Sequence, residues 1–131
     1  MPCTRPHVLI TGTSSGIGRA TMEAAAAAGF HVFAGDRSAD PGSDTEVGTG
    51  LISRVHLDIT VPDDVAHAVE VIGEHVGDGG LDGLANIAGI GIPGPLEIMP
   101  MADLRASFEV DFFGQVALTQ VMIPLVRRAK G

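Results

Sequence analysis

The sequence contains no tyrosine and no tryptophan. No mechanism that needs a phenol as proton donor can therefore be carried by these 131 residues alone. A single cysteine, Cys3, permits no internal disulfide and points to a reducing compartment, with the cytoplasm as the expectation. Basic residues are scarce: 8 Lys and Arg against 16 Asp and Glu give a net charge of -8, and the longest basic run is Arg127-Arg128. Polyanions are held by clustered cations, so nucleic acid is excluded as a partner. No apolar stretch reaches the roughly 18 residues of a membrane span, and Met1 to Pro6 holds no apolar leader core. A membrane partner is excluded on the same reading.

Glycine, in contrast, is abundant: 18 of 131 residues, about twice the usual share. Tight turns and loops that cradle a ligand are where such glycine is used. With 45% hydrophobic residues the chain can bury a core, and its length suits a single domain over residues 1–131.

Val8-Leu9-Ile10 reads as a buried strand broken by Thr11-Gly12. An alanine-rich helix follows from Ser15 and stops at Gly29. His31 to Gly35 is a second strand ending at Asp36, residues 37–52 read as loop, and Arg54 to Leu57 is a third strand closing at Asp58. Thr60-Val61-Pro62-Asp63 has the pattern of a capping box before a helix that carries Val65, Ala68, Val69, Ile72 and Val76. Leu81 to Ile87 supplies a fourth strand, and a Gly/Pro loop leads to one long helix over 102–129, which Pro124 kinks or breaks. This alternation specifies an α/β fold with a parallel sheet.

The chemistry sits where the first strand becomes the first helix. Thr11-Gly12-Thr13-Ser14-Ser15-Gly16-Ile17-Gly18 places glycines so that backbone N–H groups approach a pyrophosphate, and the helix N-terminus adds about half a positive charge. About 20 residues on, Asp36 ends the second strand, where a carboxylate accepts hydrogen bonds from an adenosine ribose. That carboxylate repels a 2′-phosphate by roughly 4 kcal/mol at about 4 Å and an effective dielectric near 20. Arg37 offsets part of this repulsion, and Ser15 rather than a base precedes Gly16. NAD is thus preferred to NADP.

Ser14 and Ser15 lack a His–acid pair to activate them and read as phosphate-loop and helix-capping residues. Around the histidines, His67, Glu70 and Glu74 share a helix face with His75 beside them, but no two histidines stand at i, i+4 and there is no cysteine pair. A solvated face is the expectation, and no metal site.

The residues at 11–18 resemble the cofactor loop of the short-chain dehydrogenases/reductases. Asp58-Ile59-Thr60 is similar to that family's Asp-x-Thr, whose acid contacts the adenine amino group, and Asn86-Ile87-Ala88-Gly89 to its Asn-Asn-Ala-Gly. Phe108 to Gly114 with Thr119 and Pro124 resembles its fourth-helix pattern, with Asp111 in place of an asparagine that helps hold a proton-relay water. The resemblance implies a Rossmann-like, doubly wound parallel sheet of four strands in the order 3-2-1-4 with flanking helices, and hydride transfer between a nicotinamide and an alcohol/carbonyl substrate. It places dinucleotide contacts at Gly12, Ser14, Ser15, Gly16, Ile17, Gly18, Asp36, Arg37, Asp58, Ile59, Asn86, Ala88 and Gly89. Asp111 is the one candidate catalytic residue. The resemblance also implies a homo-oligomer paired through the helix around 102–129. The family's catalytic Ser and its Tyr-x-x-x-Lys would follow Gly131, so the domain is expected to be incomplete at its C-terminus. The other readings are a non-catalytic NAD-binding module and an inactive remnant.

Overall fold

A computed structural model describes residues 4–131; Cys3 lies outside them. Strand β1 (His7–Thr11) leads to helix α1 (Gly16–Ala27), and β2 (His31–Asp36) follows. A short β3 (Thr45–Val47) turns back into β4 (Gly50–His56). Helix α2 (Pro62–Val76), β5 (Gly83–Ala85), α3 (Met101–Phe108) and α4 (Gln115–Ala129) complete the chain. The sheet order is β3-β4-β2-β1-β5.

Four of these strands are parallel and stand in the order expected from the sequence; the fifth is an addition. The segment expected as loop, 37–52, contains β3, which pairs antiparallel with β4 from Thr45↔Ile52 to Val47↔Gly50. Its hydrophilic composition hid it: Thr45 and Glu46 are exposed, so edge strand β3 carries almost no apolar signal. The third parallel strand accordingly starts at Gly50 rather than Arg54, and β5 is only three residues long.

Alternation along the strands builds two cores. Leu9, Phe33, Val55 and Leu57 face α2 and α4, where they meet Ala68, Ile72, Leu118 and Met122. Ile10, Val32, Ala34 and Ile52 face α1 and meet Met22 and Ala26. With helices on both sides, β2 is buried at all six positions. Burial of each large apolar side chain contributes about 1.5–3 kcal/mol.

Two helix starts differ from expectation. No capping box forms at α2: Val61 is the N-cap residue, and Thr60 instead donates through its amide (2.9 Å) and hydroxyl (2.6 Å) to Asp58 Oδ1. Pro62, preset for the first turn, and Asp63 and Asp64 at the positive helix end start α2 without it. Ser15 is the N-cap of α1 but makes no side-chain capping bond.

The long helix is interrupted at a place other than Pro124. A π-helical turn spans Glu109–Gly114 between α3 and α4, while Pro124 lies inside α4. At the π turn Gly114 is buried, and a Cβ there would come within 2.9 Å of the Ile59 carbonyl oxygen. The wider turn lets the helix pass the end of the loop after β4.

Candidate functional site

The C-terminal ends of β1, β2, β4 and β5 open into one cleft of about 630 Å³. Gly12, Ser14, Ser15, Gly16, Ile17 and Gly18 line it from the first loop, and Asp36 and Arg37 from the end of β2. Asp58 and Ile59 line it from the loop after β4, and Ala88 and Gly89 from the loop after β5. Asn86 and Asp111 are placed elsewhere, in a neighbouring hollow with Gln115 and Thr119.

Close backbone approach shapes the first loop. Gly12 has φ +71°, and a Cβ on it would stand 2.8 Å from Ala88 Cα. At Gly18 the clash would be more severe, because a Cβ would overlap the Gly12 carbonyl. Both positions require glycine. The first turn of α1 carries no acidic residue, whereas that of α2 carries two. The positive end of α1, with amides that have no intrahelical acceptor, thus lies beside the cleft with no acid in its own first turn. Ile17 is 76% exposed at this helix start, an apolar side chain left in the open.

Thr11 joins β1 to the end of β5 and the loop that follows it. Its buried hydroxyl accepts hydrogen bonds from the Ile87 and Ala88 amides, both at 3.0 Å, and donates to the Ala85 carbonyl at 3.4 Å. That fixes the loop after β5 against the first loop.

Asp36 is 8% exposed. Its Oδ1 accepts from the Ser38 amide (2.9 Å) and hydroxyl (2.6 Å), and its Oδ2 from the Ser14 amide (3.2 Å). Burial pushes the pKa up, but the bonds from Ser38 and Ser14 outweigh it and hold the carboxyl below the usual range. Asp58 is also held low, first by the Thr60 hydroxyl and amide, against partial burial, with help from the Arg37 and His56 charges. The Asp58 amide donates to Asp64 Oδ2 (2.9 Å), which also pairs with His56 Nε2 (3.1 Å).

Side chains of the π turn and α4 grip the loop after β5. Asp111 Oδ1 accepts from the Ile90 amide at 2.8 Å, Gln115 Nε2 donates to the Ala88 carbonyl at 2.7 Å, and Asn86 Nδ2 donates to Thr119 Oγ1 at 2.9 Å. Sequence reasoning did not single out Ser38 and Gln115, whereas Thr60 stood in the Asp-x-Thr motif as a neighbour of Asp58. For Ser38 the signal was present, since it stands two residues after an aspartate, the spacing of an Asx turn.

These features define a dinucleotide-type α/β module, with a glycine loop at the first strand–helix crossing and an acid at the end of the second strand. The chain belongs to the short chain dehydrogenase family, whose model matches residues 6–131. It is 36% identical to 11-beta-hydroxysteroid dehydrogenase type 2 of Ovis aries over 135 residues, covering 100% of this chain and 32% of that protein. It is 35% identical to 3-amino-tetrahydro-pyrrolizinone reductase of Xenorhabdus hominickii, covering 98% of this chain and 44% of the relative. Among solved structures, ligand-free aldohexose dehydrogenase of Thermoplasma acidophilum superposes with a TM-score of 0.80 at 31% identity, over 95% of this chain and 45% of that one. The chain thus spans less than half the length of these relatives. Among the described residues no helix is long and apolar enough to cross a membrane.

Proposed function

We propose that these residues form the cofactor-binding half of an NAD-dependent oxidoreductase that interconverts an alcohol and a carbonyl compound. The observation that carries this reading is the Asp36 carboxylate, which lines the cleft and is held ionised by hydrogen bonds from Ser38 and Ser14. The residues fit the cofactor. Gly16 lines the cleft, and a Cβ there would meet no protein atom within 4 Å, so the backbone is bare where a pyrophosphate would approach. Gly12, Ser14, Ser15, Gly16, Ile17 and Gly18 would hold the phosphates, Asp36 the adenosine ribose, and Asp58 and Ile59 the adenine. Asn86, Ala88 and Gly89 would border the nicotinamide side.

NAD supplies a hydride acceptor when bound; this chain's residues bind and orient it. NAD is favoured over NADP because a 2′-phosphate would meet the Asp36 charge while Arg37 is the one cation among the residues lining the cleft. Phe108, Phe112, Phe113, Val116, Val121 and Ile123 are exposed along α3, the π turn and α4, which favours a homo-oligomer through this face. The unpaired outer edge of β5 lies in the same region.

Calorimetric titration of the full chain with NAD and with NADP tests this reading. Saturable NAD binding, tighter than NADP binding, is expected; tighter NADP binding would refute the role of Asp36, and no binding of either would refute the module itself.

A further inference from the structure

At the opposite end of the sheet from the cleft, three imidazoles converge. His7 and His31 are the first residues of β1 and β2 and pair in register, so the parallel ladder sets them side by side. The same strand faces carry Leu9 and Phe33 towards α2, whose last turn delivers His75. One ring nitrogen from each of the three lies within 4.8 Å of the others. The His31 ring stacks near Phe33, with centroids 4.4 Å apart, and meets His75 edge-on at 4.7 Å. Ser53 Oγ, 2.8 Å from His31 Nε2, fixes the plane of that ring.

We propose that His7, His31 and His75 form a binding site for a divalent transition-metal ion of the zinc type. The donor set is the one such ions prefer, neutral imidazole nitrogen. A tetrahedral ion with metal–nitrogen bonds of about 2.0–2.1 Å holds its nitrogens about 3.4 Å apart, so the triad must contract by about 1.4 Å. His31 is buried at 2% exposure, while His75 is exposed on the last turn of α2 with its ring already edge-on to His7 and His31, so the contraction falls to His75. Nearby charge is mixed: Asp82 acts on His7, Asp44 and Arg5 act on His31, and the two carboxylates offset the ion's charge. A fourth position on the exposed side is open to water. The ion would tie the starts of two central strands to the end of α2, a staple far from the dinucleotide cleft.

The test uses the full chain in a Cys3→Ser background, which removes the one thiol ligand, with zinc chloride as titrant. Calorimetry should show one ion per chain, and the thermal midpoint should rise with zinc. Removing an outer-sphere partner of a metal ligand costs about 10- to 100-fold in affinity, so losing a ligand itself costs at least about tenfold. His75→Ala, at an exposed position, and His7→Ala should each weaken binding by that much with unchanged far-ultraviolet circular dichroism. Cobalt(II), substituted for zinc, should give a visible d–d band that disappears in His75→Ala. Absence of saturable binding, or zinc bound as tightly by His75→Ala as by the parent, would overturn the proposal.

Discussion

The hydroxyl of Thr11 accepts a hydrogen bond from the Ala88 amide at 3.0 Å, and from the Ile87 amide at the same distance. Two backbone donors on one loop thus depend on the single side-chain oxygen of a residue that is 1% exposed. Thr11→Val keeps the shape and the β-branch but leaves both amides without an acceptor. At about 1–3 kcal/mol for each of the two stranded amides, the loss should be about 2–6 kcal/mol. Thr11→Ser, which restores the oxygen, should recover most of it. Urea denaturation of the three proteins measures the difference, and equal stability of Thr11→Val and the parent would show that the loop draws its order elsewhere.

Asp36 is expected to set the choice between NAD and NADP. Asp36→Asn keeps an acceptor for the ribose but removes the charge that a 2′-phosphate would face. The full Coulomb term of roughly 4 kcal/mol is reduced by water in an open cleft, which leaves a shift of about tenfold to a hundredfold in relative affinity towards NADP. Competitive titration with the two dinucleotides reads the ratio directly. An unchanged ratio would mean that the ribose lies away from this carboxylate.

Most of the parallel framework was legible because its signals are local and strong. Apolar runs ending in Gly12, Asp36 and Asp58 marked the strand ends that line the cleft, and the glycines of the first loop marked its backbone. What escaped depended on partners distant in sequence. Edge strand β3 pairs with β4 on one side alone and carries polar residues, so no periodicity announces it. The π turn answers to the Ile59 backbone across the fold, whereas Pro124, the visible helix breaker, is accommodated within α4. Likewise, the sequence drew attention to the histidine on one helix face. Register, which no residue spacing reveals, brings His7 and His31 to His75.

Stability in acid should fall in two carboxylates' shared window. Asp36 and Asp58 both titrate below the ordinary value of 3.8 when folded and return to it on unfolding. Between the two values the unfolded chain binds more protons, so stability rises with pH there. Their contribution is whole above the ordinary carboxylate value and drains away as pH falls through the lowered one. The doubly substituted Asp36→Asn, Asp58→Asn protein should be less stable at neutral pH and show a flatter decline below about pH 4. Denaturation midpoints followed from neutral to acid pH check this, and a parallel decline in both proteins would assign the acid sensitivity to other groups.

Asp111 stands on the π turn with Oδ1 2.8 Å from the Ile90 amide, and a Cβ on Gly89 would come within 3.2 Å of the same oxygen. The side chain thus holds the loop after β5 from the helix side, while Gln115 holds it one step earlier through the Ala88 carbonyl. An acceptor is what this position needs, and either a carboxylate or an amide provides one. Asp111→Asn should therefore keep stability within about 0.5 kcal/mol and preserve slow exchange of the Ile90 amide. Asp111→Ala should lose about 1 kcal/mol, since the bond is solvent-exposed, and exchange at Ile90 should accelerate. Hydrogen–deuterium exchange at that amide separates anchoring from any effect of charge. Were Asn and Ala to speed exchange equally, the negative charge rather than the hydrogen bond would be what orders the loop.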